Sequence, residues 1–152
     1  MPLPFDPARR MVPEQTVMAA RDRLAAEPAV DASRLAAVGY SLGGHFALSL
    51  AAAGKVSAAV VYFGTLSPWS SEMIGRLAVP VLIHQGDQDS SAITANASAL
   101  PAEALRQGKR LEFVVYTGAV HQFDLFEPKS SATREAWQRS LAFLASTLGS
   151  SP

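Results

Sequence analysis

Apolar residues in this chain keep two rhythms that alternate along its length. Four short unbroken runs, Leu35–Val38, Ala58–Phe63, Val79–His84 and Leu111–Tyr116, each give way to turn residues. After them, apolar positions return every three or four residues, over Leu42–Ala53, weakly over Ser71–Leu77, and again over Ile93–Gln107 and Ala132–Leu148. The short runs predict strands buried on both faces, and the longer rhythm predicts amphipathic helices. In the last helix Ala136, Trp137, Leu141, Leu144 and Leu148 form the stripe expected to face the core, with Arg134, Glu135, Gln138 and Arg139 turned away. Upstream, Glu14–Glu27 reads as a helix ended by Pro28. Met1–Pro13, with four prolines and no rhythm, reads as an extended arm.

Strands separated by helices pair in parallel through right-handed crossovers. The expected fold is therefore α/β, a three-layer α/β/α arrangement of about four parallel strands flanked by helices, in a single domain over residues 1–152. Chemistry in such open sheets collects outside the carboxyl ends of the strands. Ser41 follows the first strand, Asp87 and Asp89 the third, and His121 the fourth, so all four are expected on one rim.

Composition narrows the function classes. Thirteen basic and thirteen acidic residues balance, with no basic cluster beyond Ala8-Arg9-Arg10, so a polyanion finds no concentrated positive face and nucleic acid is not an expected partner. The chain has no cysteine, which removes disulfides, thiolate metal sites and a cysteine nucleophile together. No run is long enough to span a bilayer, and the first fifteen residues carry no signal-like apolar core. A soluble, cytoplasmic protein without membrane or nucleic-acid partners is expected.

The stretch LAAVGYSLGGHFAL places G-x-S-x-G, residues Gly39, Ser41 and Gly43, between a buried strand and a helix. A serine hydroxyl attacks a carbonyl only when a base takes its proton and a third group orients that base. At a sharp strand-to-helix turn, glycines on either side spare the backbone a collision and leave the serine exposed. The amide of Leu42, at the helix start, is then placed to serve an oxyanion hole. A plain serine N-cap is the rival reading of Ser41. Among three histidines, His121 lies in a glycine-bearing loop on the expected rim and is the candidate base. His84, closing a strand, and His45, one turn into the helix after Ser41, are expected to be structural. The acid is Asp87 or Asp89, the other serving the following helix, and local physics does not choose between them. The order serine, aspartate, histidine is that of the α/β-hydrolases. Trp69, Met73 and Phe123 are candidates for lining a substrate pocket or for ordinary packing, and none is assigned as a site.

The words VGYSLGG (Val38–Gly44), VVYFG (Val60–Gly64), PVLIHQGDQD (Pro80–Asp89), YTGAVHQF (Tyr116–Phe123) and REAWQRSLAFL (Arg134–Leu144) together resemble the dienelactone hydrolase family of α/β-hydrolases. In that family's P-x-L-x-x-x-G-x-x-D word the acid is the third residue after the glycine, which here is Asp89, with Asp87 as the fallback. The resemblance implies a serine hydrolase of small carboxylic esters or lactones, working through Ser41, Asp89 and His121 without metal or organic cofactor. Well-known members carry a cysteine where this chain has Ser41. They also carry an arginine four residues beyond the histidine, where this chain has Leu125, so an anionic lactone is not the expected substrate. The fold implied by the resemblance has about four further strands before the serine, and Met1–Ala29 does not hold them. The match is thus to a truncated fold, and the strand Leu35–Val38 is left as an apolar edge. That edge, or the N-terminal arm, is expected to pair with a second copy of the chain. The truncation also raises a contrasting expectation, that the chain is a non-catalytic remnant acting as an interaction module. Acyl transfer or peptidase chemistry on the same three residues is a further alternative.

Overall fold

The computed structural model describes residues 7–64 and 71–149, with side chains described outside 7–12 and 91–98. Four parallel strands form one sheet in chain order: β1 (Ala36–Tyr40), β2 (Ala58–Tyr62), β3 (Val81–Gly86) and β4 (Leu111–Tyr116). Among the described residues six α-helices accompany it: α1 (Pro7–Ala25), α2 (Leu42–Ala52), α3 (Ser71–Gly75), α4 (Ser91–Arg106), α5 (Phe123–Phe126) and α6 (Ser131–Leu148). The register pairs Val38 with Val60, Val60 with Leu82 and Leu82 with Glu112, so the strand ends stay level. That alignment puts the loops after all four strands on one rim.

Period-two alternation sorts the strand side chains between two cores. Ala59, Val61, Val81 and Ile83 pack with Ala47, Leu48, Ile74, Leu100 and Ala104 from α2, α3 and α4. On the opposite face Ala58, Val60, Tyr62, Leu82 and Tyr116 pack with Phe123, Ala136 and Phe143 from α5 and α6. Three layers result, as the alternation of elements predicts. Every residue of β2 and β3 is buried, which accounts for their unbroken hydrophobicity. Strand β1 pairs with β2 alone among the described residues. Its Val38 and Tyr40 side chains are about half exposed. Among the described residues no helix is long and apolar enough to cross a membrane.

Two expectations fail here. The segment Pro7–Pro13 belongs to α1 rather than to an extended arm. Pro7 at the first helical position loses an N–H that would have been unpaired anyway, so its ring starts a helix as readily as it stops one. Pro13 sits inside the helix. The stripe of α6 is also rotated from the expected one. Ala136, Ser140 and Phe143 are its buried residues, while Trp137 and Leu141 are half exposed. A serine, not a tryptophan, occupies the centre of the buried face because its hydroxyl is doubly hydrogen-bonded there, to Tyr62 Oη at 2.7 Å and His84 Nε2 at 2.9 Å. The helix begins cleanly, with Ser130 Oγ accepting from Thr133 N at 3.1 Å.

Candidate active site

Ser41 ends β1 and precedes α2. Its amide donates to Tyr62 O at 3.0 Å, the last rung of the ladder, and its carbonyl accepts from Gly44 N at 2.9 Å, the first turn of the helix. Serving both elements from one residue forces φ to 51° and ψ to −118°, a region that non-glycine residues enter at a cost of about 1–3 kcal/mol. The Ser41 side chain makes no capping bond to α2. Its Oγ lies instead 3.1 Å from His121 Nε2, so the N-cap reading of this serine does not hold.

The glycines divide the work differently from the motif. A Cβ on Gly39 would run into the Gly43 carbonyl and come within 2.7 Å of Gly44 N. One on Gly44 would lie 2.6 Å from Val61 Cγ1. Gly43 has nothing within 4 Å, because its missing side chain points to open space beside β1. The close approach at this turn therefore rests on Gly39 and Gly44, not on Gly39 and Gly43. Leu42 is the first residue of α2, and amides of a first helical turn have no intrahelical acceptor.

His121 bridges Ser41 and Asp89. Its Nδ1 is 2.9 Å from Asp89 Oδ2, with the imidazole one-third exposed and the carboxylate sealed. Asp89 Oδ1 accepts from Ser90 N at 2.7 Å. Asp87 does not reach the imidazole. Its Oδ1 accepts from Gly118 N at 2.7 Å, fastening the loop that carries His121. The same loop leans on Gly86, where any Cβ would strike the Ala119 carbonyl, and Gln88 N donates to that carbonyl at 3.0 Å. The structure thus brings Ser41, Asp89 and His121 together and gives Asp87 the loop. Behind His121, Phe63 presents a ring edge with centroids 5.1 Å apart, and Phe123 packs on Phe63 in turn. Among the described residues Ser41, Phe63 and Gln122 are the non-glycine residues with positive φ, and each follows or adjoins a strand end or loop of this rim. Nothing in the apolar pattern flags Phe63.

The remaining candidates take structural places. His45 is buried, with Nε2 2.9 Å from Glu14 Oε1, which ties α1 to α2. His84 is fully buried between Tyr116 Oη and Ser140 Oγ, each at 2.9 Å. Burial, reinforced by the charge of Arg139, pulls its imidazole down from 6.5 to about 4. Phe123 is fully buried in the core under the loop. Met73 packs against the opposite core, so neither lines a pocket beside Ser41. Trp69 lies outside the described residues. Leu125 is exposed on α5.

The model of the dienelactone hydrolase family matches residues 8–148. The chain belongs to the dienelactone hydrolase family. A "Probable 2-oxo-3-(5-oxofuran-2-ylidene)propanoate lactonase" of Bradyrhizobium sp is 28% identical over 130 residues, covering 76% of this chain and 52% of that protein. Among solved structures, a dienelactone hydrolase-like promiscuous phosphotriesterase from metagenomic libraries superposes with a TM-score of 0.79 at 27% identity. The match covers 92% of this chain and 63% of that one. A thermophilic carboxylesterase from a metagenomic library shares the fold, with a TM-score of 0.73 at 20% identity over 90% of this chain and 64% of that one. The chain spans about half the length of the curated relatives it matches, 52% and 44%.

Proposed function

We propose that this dienelactone hydrolase family chain is a cytoplasmic serine hydrolase of small carboxylic esters or lactones. The observation that carries the reading is the His121 imidazole, with one nitrogen 3.1 Å from Ser41 Oγ and the other 2.9 Å from a buried carboxylate. Ser41 Oγ attacks the ester carbonyl carbon while His121 Nε2 takes its proton. Negative charge gathers on the carbonyl oxygen, and the Leu42 N–H donates to it. The tetrahedral centre collapses, the C–O bond to the alcohol breaks, and His121 returns the proton to the leaving oxygen. Water, deprotonated by His121, then attacks the acyl-Ser41 ester and frees the acid. Asp89 holds the Nδ1 proton and so keeps Nε2 available as a base. The cycle calls on no metal or organic cofactor. Absence of an arginine at the Leu125 position favours neutral esters over anionic lactones.

The reactive-serine test is labelling by a fluorophosphonate probe. The parent protein is expected to label and Ser41→Ala to remain unlabelled, and a folded parent that stays unlabelled would overturn the proposal. Association of two copies along β1 belongs to the same proposal, supported by an outer edge that no strand among the described residues pairs and by a groove of about 440 Å³ lined by Val17, Leu24, Ala37, Val38 and Phe46. Light scattering that gives a monomer mass at micromolar concentration would remove it. The non-catalytic reading draws on that same edge, and probe labelling separates the two.

A further inference from the structure

We propose that Gln85 is a positioning residue for the hydrolytic site, acting through Asp89. The residue sits in β3, a strand with every residue buried, and is itself fully buried. Strand alternation puts it on the face of Val81 and Ile83, where an aliphatic side chain would be the ordinary choice. Its Nε2 donates to Asp89 Oδ2 at 2.8 Å, the same oxygen that meets His121 Nδ1 at 2.9 Å. A second, longer contact runs from Nε2 to the Gly86 carbonyl at 3.4 Å. The orientation of the amide follows from these partners: turning it over would set Oε1 against a carboxylate and a carbonyl, three acceptors facing one another.

The other end of the amide is the telling part. Among the described residues no donor reaches Gln85 Oε1, although the atom is buried. A buried carbonyl oxygen without a donor is a standing cost to the fold, and an apolar residue of the same shape would remove it. Gln85 thus leaves one atom unpaired in the core while its other atom fixes the carboxylate that orients His121. Asp89 Oδ2 then has two donors, the Gln85 amide and the His121 imidazole. A carboxylate oxygen fixed by a second donor stays within hydrogen-bond reach of Nδ1 as charge builds on His121 in the transition state.

The inference rests on the hydrolase reading of Ser41, and the experiment keeps the two apart. Gln85→Met keeps length and volume and deletes the amide, and Gln85→Glu keeps the shape and replaces the donor by an acceptor. Hydrolysis of p-nitrophenyl acetate is measured with the parent, both variants and Ser41→Ala, alongside thermal melts. One hydrogen bond to a charged group is at stake, so kcat in Gln85→Met is expected to fall about tenfold to a hundredfold. KM should stay within about twofold. The Tm is expected to stay within a few degrees of the parent, since the unpaired oxygen goes with the amide. Gln85→Glu is expected to lose more rate than Gln85→Met. In proton NMR spectra the downfield His121 Nδ1–H resonance is expected to broaden in both. Parent-like kcat in folded variants would overturn the proposal. So would variants that melt far lower while each folded molecule keeps the parent's kcat, or a rise in KM alone. If Ser41→Ala hydrolyses the ester as the parent does, the hydrolase reading fails first, and that result is distinct from any of these.

Discussion

Two histidines in this chain are built alike and placed unlike. His121 and His84 each bridge a serine hydroxyl on one nitrogen and an oxygen from a neighbouring element on the other, all within 2.9–3.1 Å. The groups hydrogen-bonded around His84 are neutral and sealed: Ser140 in mid-helix, Tyr116 in a strand, and Tyr62 on the far side of Ser140. Burial raises the acid dissociation range of both Tyr62 and Tyr116 and lowers that of His84, so every member is driven to its uncharged form. Around His121 the third group is a carboxylate, the ring is one-third exposed, and the serine sits on strained backbone at a strand end. The same three-part chain of hydrogen bonds therefore does opposite things. In the core it cross-links β2, β3, β4 and α6. At the rim it has a charge to orient the imidazole, a way in for substrate, and a hydroxyl with no capping duty.

The sharpest way to break this comparison is to remove each serine. Ser41→Ala is expected to cut hydrolysis of p-nitrophenyl acetate by at least about 10³-fold, because nucleophile and base act as a unit, while the melting temperature barely moves. The aspartates sharpen it next. Asp89→Asn is expected to lower kcat by about 10³–10⁴-fold, since an amide cannot hold the imidazole in the required tautomer. Asp87→Asn keeps an oxygen for Gly118 N and is expected to stay within a few fold of the parent. Equal losses in the two aspartate variants would count against the roles given to them.

His84 supplies a pH prediction. Its folded-state pKa lies near 4 and its unfolded value near 6.5. Between those values the unfolded chain binds a proton that the folded chain refuses, so stability rises with pH across that window and is lost as pH falls. At about 1.36 kcal/mol per pH unit the group removes about 3 kcal/mol between pH 6.5 and 4. Urea midpoints at pH 7 and pH 4.5 test this, and a flat stability profile would contradict the placement of a neutral imidazole in the core. Ser140→Ala strands His84 Nε2 and Tyr62 Oη together, and the expected loss is about 1–3 kcal/mol. Ester hydrolysis per folded molecule should be unchanged. Activity that falls with Ser140 would join the two networks that the comparison separates.

What could be read in advance follows the physics of each element. The four strands are legible because a sheet covered on both sides leaves long apolar runs, and their bounds differ from expectation by two residues at most. Strand ends and chain order bring Ser41, His121 and the pair Asp87 and Asp89 to one rim, and the family word, not local physics, singles out Asp89. Three things are not legible in this way. The start of α1 hides behind Pro7, a residue that both stops and begins helices. The buried face of α6 hides because Ser140 looks like a solvent residue until Tyr62 and His84 are found against it. Gln85 hides for the same reason, since its partner is a side chain four residues on and across a turn. Polar residues in a core are specified by three-dimensional partners, and apolar periodicity carries no trace of those.

The smallest expected effect tests the least covered region, the edge beside α2. Gly43 has open space where its Cβ would stand and lines the groove along β1 with Val38 and Phe46. In a protein whose groove stays empty, Gly43→Ala replaces the poorest ordinary helix former by the best and should gain about 0.5–1 kcal/mol. In a protein whose β1 edge pairs with a second copy, the added methyl enters space that the incoming strand needs. The variant should then gain stability when dilute and lose mass in light scattering when concentrated. A gain of the same size at every concentration, with unchanged mass, would show that nothing occupies the groove and that Gly43 serves neither the turn nor an interface.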